Sequence, residues 1–313
     1  MDAIVQPWGP HPYVRSLDSP APTAQSDRMT ATSPGTAPPA ARADHRSWPE
    51  RLSRPYPLVM GVLNITPDSF SDGGRFLAAE DALAQAGRMV TEGADIIDIG
   101  AESTRPYGAQ PISADEEIRR LRPILSQVVS LGIPVSIDSM KPAVVGWALD
   151  NGAAIANDVW GLQGDPDMAR LIAERHCPVV IMHNRDRAEP GIDIMSDIAG
   201  FFSRSLEIAA NAGIPREHIA LDPGIGFGKT QEQSITVLAR LEQFNTFGLP
   251  LLVGASRKRF IATVSPSEPD QRLGGSIAAH LIAAKAGAKI IRTHDVSETV
   301  QALRVASAIW DRK

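Results

Sequence analysis

The chain has 313 residues, with 31 Lys and Arg against 36 Asp and Glu, a formal net charge of −5 and one cysteine, Cys177. That balance argues against a general nucleic-acid binder. A lone cysteine permits no internal disulfide and fits a reducing, cytoplasmic compartment, and no apolar run is long enough to cross a membrane as a helix.

Residues 1–53 are rich in Pro, Ala, Ser and Thr, have few aliphatic side chains and no periodicity. Such a stretch cannot bury enough apolar surface to offset the entropy of ordering it, so it is expected to be a disordered extension. Asp2 and the lack of an apolar core speak against a secretory signal, and Asp18, Asp27 and Asp44 against a transit peptide; Met29 is an alternative start. Residues 54–313 are expected to form a single domain.

Within that domain, short apolar runs end again and again on polar clusters. LVMGVLNI reaches Asn64, ADIIDIGAESTR reaches Glu102, Thr104 and Arg105, PVSID reaches Asp138, and AAIANDV carries Asn157 and Asp158. CPVVIMHNR delivers His183, IALDPGIG Asp222, LLVGASRK Ser256 to Lys258, and AKIIRTHD Arg292 and His294. Each run has strand length, and each is followed by a stretch long enough for a helix. Strands that are apolar on both faces and polar only at their ends predict a (β/α)8 TIM barrel, an α/β fold whose catalytic groups sit at the C-terminal strand ends.

The connecting segments read as amphipathic helices. Leu83, Ala86 and Val90 are expected to share one buried face, as are Ile118, Leu121, Leu125 and Val128. Ser113 with Glu116 predicts a capping box, and Pro123 a kink. Glycines in EGA, DNGA, NAGI and KAGA punctuate helix after helix just before the next strand. The segment SIAAHLIAAKAGA is small and apolar on much of its surface, which suits close packing on the barrel or against a second subunit.

LDPGIGFGKT (221–230) misses a phosphate-binding P-loop by one position, since Pro223 stands where glycine is required and removes a backbone donor. A glycine-rich loop after a strand, letting a ligand approach the backbone, is the better reading. Together with Asn64-Ile-Thr-Pro-Asp-Ser-Phe-Ser-Asp-Gly-Gly74, Glu102-Ser-Thr-Arg-Pro106, Ile137-Asp-Ser139, Asn157-Asp158, Ser256-Arg-Lys258 and Arg292-Thr-His294, it makes an ordered set that resembles the dihydropteroate synthase family from about Val59 to the C-terminus. The resemblance implies a barrel enzyme of folate biosynthesis that joins 6-hydroxymethyl-7,8-dihydropterin diphosphate to 4-aminobenzoate, with release of diphosphate.

By that resemblance, Asp222 accepts two ring N–H groups of the pterin in the strong parallel geometry of a carboxylate. Asp138, Asn157 and Lys258 contact other ring atoms. Arg292 and His294 serve the diphosphate, with Arg292 also stacking over the pterin, and Lys258, Arg292, His294 and Asp138 form the expected catalytic set. Asn64 is the expected contact to Mg²⁺ on the leaving group. Phe70, Thr104, Arg105, Pro106 and Phe227 are expected to enclose 4-aminobenzoate, and a homodimer is expected. Three places depart from the pattern: Tyr107 lengthens its loop, Met182-His-Asn-Arg185 replaces a commoner segment so that no role passes to His183, and Arg259 follows Lys258. A pterin-binding methyltransferase domain, or a non-catalytic relative acting through its tail, are the competing readings.

Overall fold

A computed structural model of the chain describes residues 47–65, 75–102 and 111–312. Eight strands form a closed, all-parallel barrel in sequence order. They are β1 (Leu58–Asn64), β2 (Ile96–Gly100), β3 (Val135–Asp138), β4 (Ile155–Asp158), β5 (Val179–Met182), β6 (Ile219–Asp222), β7 (Leu251–Val253) and β8 (Ala288–Thr293). Helices α1 (Trp48–Leu52), α2 (Arg75–Thr91), α3 (Ala114–Leu121), α4 (Leu125–Val129), α5 (Pro142–Asp150) and α6 (Pro166–Arg175) belong to the first half. The second half adds α7 (Ile194–Ala212), α8 (Gln231–Ala239), α9 (Arg259–Val264), α10 (Leu273–Lys285) and α11 (Val296–Trp310). The expected TIM barrel is the observed fold. No helix among the described residues is long and apolar enough to cross a membrane.

Strand alternation sorts the side chains into two cores. Outward residues such as Ile97, Ile137, Ile181, Leu221 and Ile291 pack against Met89, Val128, Val145, Phe202 and Leu303 of the helices. Inward residues Leu58, Met60, Ile96, Ile155, Val180, Ala220, Leu252 and Ile290 fill the barrel, and Trp48 joins them. Two residues further along four of those strands, the same inward parity gives Asp98, Asn157, Asp222 and Arg292. The polar mouth is therefore the next layer above an apolar floor.

Strand β8 reaches that parity through a bulge. Leu251 stands opposite Ala288, but Leu252 stands opposite Ile290, leaving Lys289 as an extra residue. One extra residue flips every later side chain to the other face, and this one turns Ile290 and Arg292 inward.

Several local expectations shift. The buried face of α2 is Ala82, Ala86 and Met89, with Leu83 and Val90 only partly covered at its flanks. Pro123 does more than kink its helix, which stops at Leu121 and restarts at Leu125. Ser113 accepts from Glu116 N–H, but the Glu116 carboxylate turns to Arg119 and Arg120, so only half of the capping box forms. Gly93, Gly152, Gly213 and Gly287 do close the turns before the strands, with φ of +97°, +99°, +83° and +102°.

The largest correction is at the N-terminal boundary. Residues through 53 were expected to lie outside the domain, yet Ser47 caps a helix at Trp48–Leu52, and Trp48 is 6% exposed. One indole buries more apolar area than the aliphatic-poor composition around it suggests, which is why composition misplaces the edge. Trp48→Ala should lower the unfolding free energy by about 3 kcal/mol, read as a lower urea midpoint at unchanged slope. An unchanged midpoint would show that α1 does not help close the barrel.

Candidate active site

The mouth is organised around Arg292. Its Nε donates to Asp98 Oδ2 and its terminal nitrogen to Asp138 Oδ2, each at 2.7 Å. Asn157 Nδ2 donates to the same Asp98 oxygen at 3.1 Å. The other carboxylate oxygens, Asp98 Oδ1 and Asp138 Oδ1, are buried with no hydrogen-bond partner. Burial opposes the charge of Arg292, but Asp98 and Asp138 more than offset it and hold the guanidinium above its usual range. Burial also pushes the Asp138 carboxyl up, against the pull of Arg292. Buried acceptors without donors are costly, and two of them lie side by side around Arg292.

The β6 side supplies a third carboxylate. Asp222 Oδ1 accepts from Gly224 N–H at 2.7 Å, and burial raises its carboxyl while Lys258 pulls it down. Lys258 follows β7, where its ammonium bonds the Ile225 carbonyl and lies 4.4 Å from the Phe227 ring centroid. Burial lowers it to about 8, with Asp222 opposing. After β8, His294 Nδ1 lies 3.0 Å from Ser256 Oγ, which also accepts from His294 N–H at 3.2 Å. A hydroxyl that accepts the backbone N–H can give its own proton to Nδ1, an arrangement that places the ring proton on Nε2. Burial and the neighbouring Arg292 depress His294 to about 4. That shift favours a neutral His294 ring, an N–H donor beside the Arg292 cation.

Asp138, Asn157, Asp222, Lys258, Arg292 and His294 therefore converge, as does Phe227, half-buried on the loop over Lys258. Asn64 is exposed at the end of β1, opposite Gly100, where an added Cβ would lie 3.4 Å from Asp138 Cβ. Among the described residues no cluster of three or more His, Cys, Asp or Glu side chains could hold a metal. A single neutral amide oxygen fits only an ion whose other ligands come from substrate and water, as Mg²⁺ prefers. Phe70, Thr104, Arg105, Pro106 and Tyr107 lie outside the described residues.

Two strand-end acids do other work. Asp158 accepts from the N–H groups of Trp160 and Leu162 and caps its own loop. Glu102 pairs with Lys141 and accepts from Ile112 N–H, tying the far end of its loop. Asp98, by contrast, was missed, because it sits in mid-run in ADIIDIG rather than at the end. Its signal is parity: a charge two residues after an inward apolar residue, Ile96, as Asn157 follows Ile155.

A parallel barrel whose mouth offers carboxylates, an amide and fixed cations defines a binder of nitrogen-rich rings, and the comparisons agree. The family of pterin-binding enzymes matches residues 60–294. The dihydropteroate synthase of Bacillus subtilis is 42% identical over 256 residues, covering 82% of this chain and 89% of that protein. The Xanthomonas albilineans dihydropteroate synthase solved with 4-aminobenzoic acid superposes with a TM-score of 0.79 at 42% identity, over 84% of this chain and 95% of that one. Its complex with 7,8-dihydropteroate gives 0.76 at 39% identity, over 84% and 96%. The chain belongs to the pterin-binding enzymes and, within them, to the dihydropteroate synthase family.

The state of His294 has a measurable consequence. Its folded pKa lies below the unfolded value of about 6.5, so the unfolded chain takes up the proton first as pH falls. The stability contributed by the neutral ring is present above that pH and is lost from about 6.5 down to about 4. In the ligand-free protein the His294 ring resonances should titrate with a midpoint near 4. A midpoint near the ordinary histidine value would contradict the buried, neutral assignment.

Proposed function

We propose that the chain is a transferase of folate biosynthesis that condenses 6-hydroxymethyl-7,8-dihydropterin diphosphate with 4-aminobenzoate, giving 7,8-dihydropteroate and diphosphate. The observation that carries this reading is the pair of orphaned carboxylate oxygens on Asp98 and Asp138, set beside Asp222 in a mouth that also holds fixed cations. The aminopyrimidinone edge of a pterin presents N–H donors to such acceptors.

Asp222, Asp138 and Asn157 orient the ring, and Lys258 donates to its carbonyl and N5 side. Arg292 lies deep enough to reach the ring, while His294 offers its Nε2–H to the diphosphate. Breaking the C–O bond leaves the methylene carbon electron-poor and the charge on the departing diphosphate. The arylamine, unprotonated at neutral pH, attacks that carbon, and its surplus proton leaves to solvent. No strong general base is required, so the protein acts through positioning and electrostatic stabilisation. Phe227 forms one wall of the 4-aminobenzoate site; Phe70, Thr104, Arg105 and Pro106 are proposed to complete it by resemblance.

Asn64 is proposed to hold Mg²⁺, which would supply charge neutralisation at the leaving diphosphate. A homodimer through the last helices is supported by Ile282 of α10 and Val305 and Ile309 of α11, which are 54%, 56% and 66% exposed on neighbouring helices. A cytoplasmic setting suits the single buried thiol.

The test is diphosphate release on protein sized by light scattering. Release should require both substrates, from a species of twice the 33.5 kDa chain mass. Release that ignores 4-aminobenzoate, or none at all, would overturn the activity, and a monomer at micromolar concentration would remove the dimer.

A further inference from the structure

The glycine-rich loop after β6 is held from two sides. Its front faces the mouth, where Lys258 bonds the Ile225 carbonyl and lies against the Phe227 ring. Its back rests on a buried polar chain that the reaction chemistry leaves unused. Lys229 is 4% exposed, and its amine meets His183 Nδ1 at 2.7 Å and the Phe227 carbonyl at 3.0 Å. His183, fully buried, passes the contact on through Nε2 to Asp197 Oδ2 at 3.0 Å. Asp197 is anchored in turn by Arg185, 2.8 Å from its other oxygen.

The donor directions in this chain are determined. Asp197 can only accept, so Nε2 of His183 carries the ring proton and Nδ1 accepts from Lys229. Burial works against the charge on Asp197, but Arg185 and His183 hold its carboxyl below the usual range. Two N–H groups of Lys229 then have partners, one on the loop and one on the barrel wall. Burial drives the lysine well below its ordinary value, with Asp222 opposing.

The backbone is fitted to the same anchor. His183 N–H donates to the Asp222 carbonyl at 2.9 Å. Gly224 has φ +66°, and a Cβ there would lie 2.0 Å from the His183 carbonyl oxygen. Gly228 has φ +53°, and a Cβ there would lie 2.4 Å from Arg185 Cβ. The loop is thus pressed onto the His183–Arg185 segment, and only glycine allows the approach.

We propose that Lys229, seated on His183 and Asp197, is a positioning residue that fixes the Gly224–Gly228 loop from behind, so that Phe227 and Lys258 are held in register at the mouth. This rests on the reading of Phe227 as a wall for 4-aminobenzoate. It gives a role to the lysine of a failed P-loop motif and to the histidine whose role the sequence left open.

The test uses Lys229→Met, which keeps the length and removes the donor, beside a pair at His183. His183→Asn leaves an acceptor at the position of Nδ1, whereas His183→Leu leaves none. A lost hydrogen bond in this setting should raise KM for 4-aminobenzoate about tenfold in Lys229→Met and His183→Leu, with kcat within about threefold. His183→Asn should stay near wild type, and the Lys229→Met/His183→Leu double variant should be no worse than either single. Hydrogen exchange of the Gly224–Gly228 amides, read without ligands, should quicken in the first two variants and not elsewhere in the barrel.

An unchanged KM for 4-aminobenzoate in soluble Lys229→Met overturns the proposal. So does a uniform loss of kcat and both KM values that tracks the melting temperature, which is what a purely structural lysine would give. If Lys229→Met does not fold, the His183 pair decides: equal KM values in His183→Asn and His183→Leu overturn it. Failure of the wild type to turn over would instead condemn the reaction assigned above, and the exchange comparison would still judge the tether.

Discussion

One guanidinium organises the mouth of this barrel. Arg292 sits between Asp98 and Asp138 on strands far apart in sequence but gathered by closure of the sheet, and Asn157 bonds the same Asp98 oxygen. Placing such charges away from water is expensive, and their mutual attraction offsets the cost only where geometry and further hydrogen bonds are good. Here they are good on one side and left open on the other. Arg292 satisfies one oxygen of each carboxylate and leaves its mate buried without a donor. Buried acceptors without donors call for an explanation, and the N–H groups of the proposed pterin supply one.

The remaining architecture serves that arrangement. The apolar layer from Met60 to Ile290, closed below by Trp48, fills the barrel so that polar groups are confined to one end. The bulge at Lys289 turns Arg292 inward; without it the same strand would present its arginine to the helices. Lys258 and Lys229 grip the β6 loop from front and back, and both are driven down by burial, Lys258 to about 8.

Much of this was legible in the sequence, because a parallel barrel imposes a strong pattern. Apolar runs ending on Asp138, Asn157, Asp222 and Arg292, with glycine before each of several strands, already mark the fold and most of the converging residues. What was not legible has physical causes. Asp98 lies inside its run, and only parity with Ile96 marks it as facing the mouth. Asn157 and Asp158 look equivalent in sequence, yet alternation sends one inward and turns the other into a loop cap. The charge state of His294 depends on burial and on Arg292, neither of which composition reveals. The partnership of His183 with Lys229 joins residues 46 positions apart, beyond the reach of any local pattern.

The central claim is that the unpaired oxygens of Asp98 and Asp138 await the N–H edge of a pterin. A crystal structure of the chain with 6-hydroxymethyl-7,8-dihydropterin tests it most directly. The account predicts a ring lying in the mouth, with at least one of the orphaned Oδ1 atoms of Asp98 and Asp138, together with the Asp222 carboxylate, accepting ring N–H groups at about 2.7–3.2 Å and the Arg292 bridge intact beside it. A ring bound outside the mouth, or one inside it that leaves both orphaned oxygens without donors, would contradict the account.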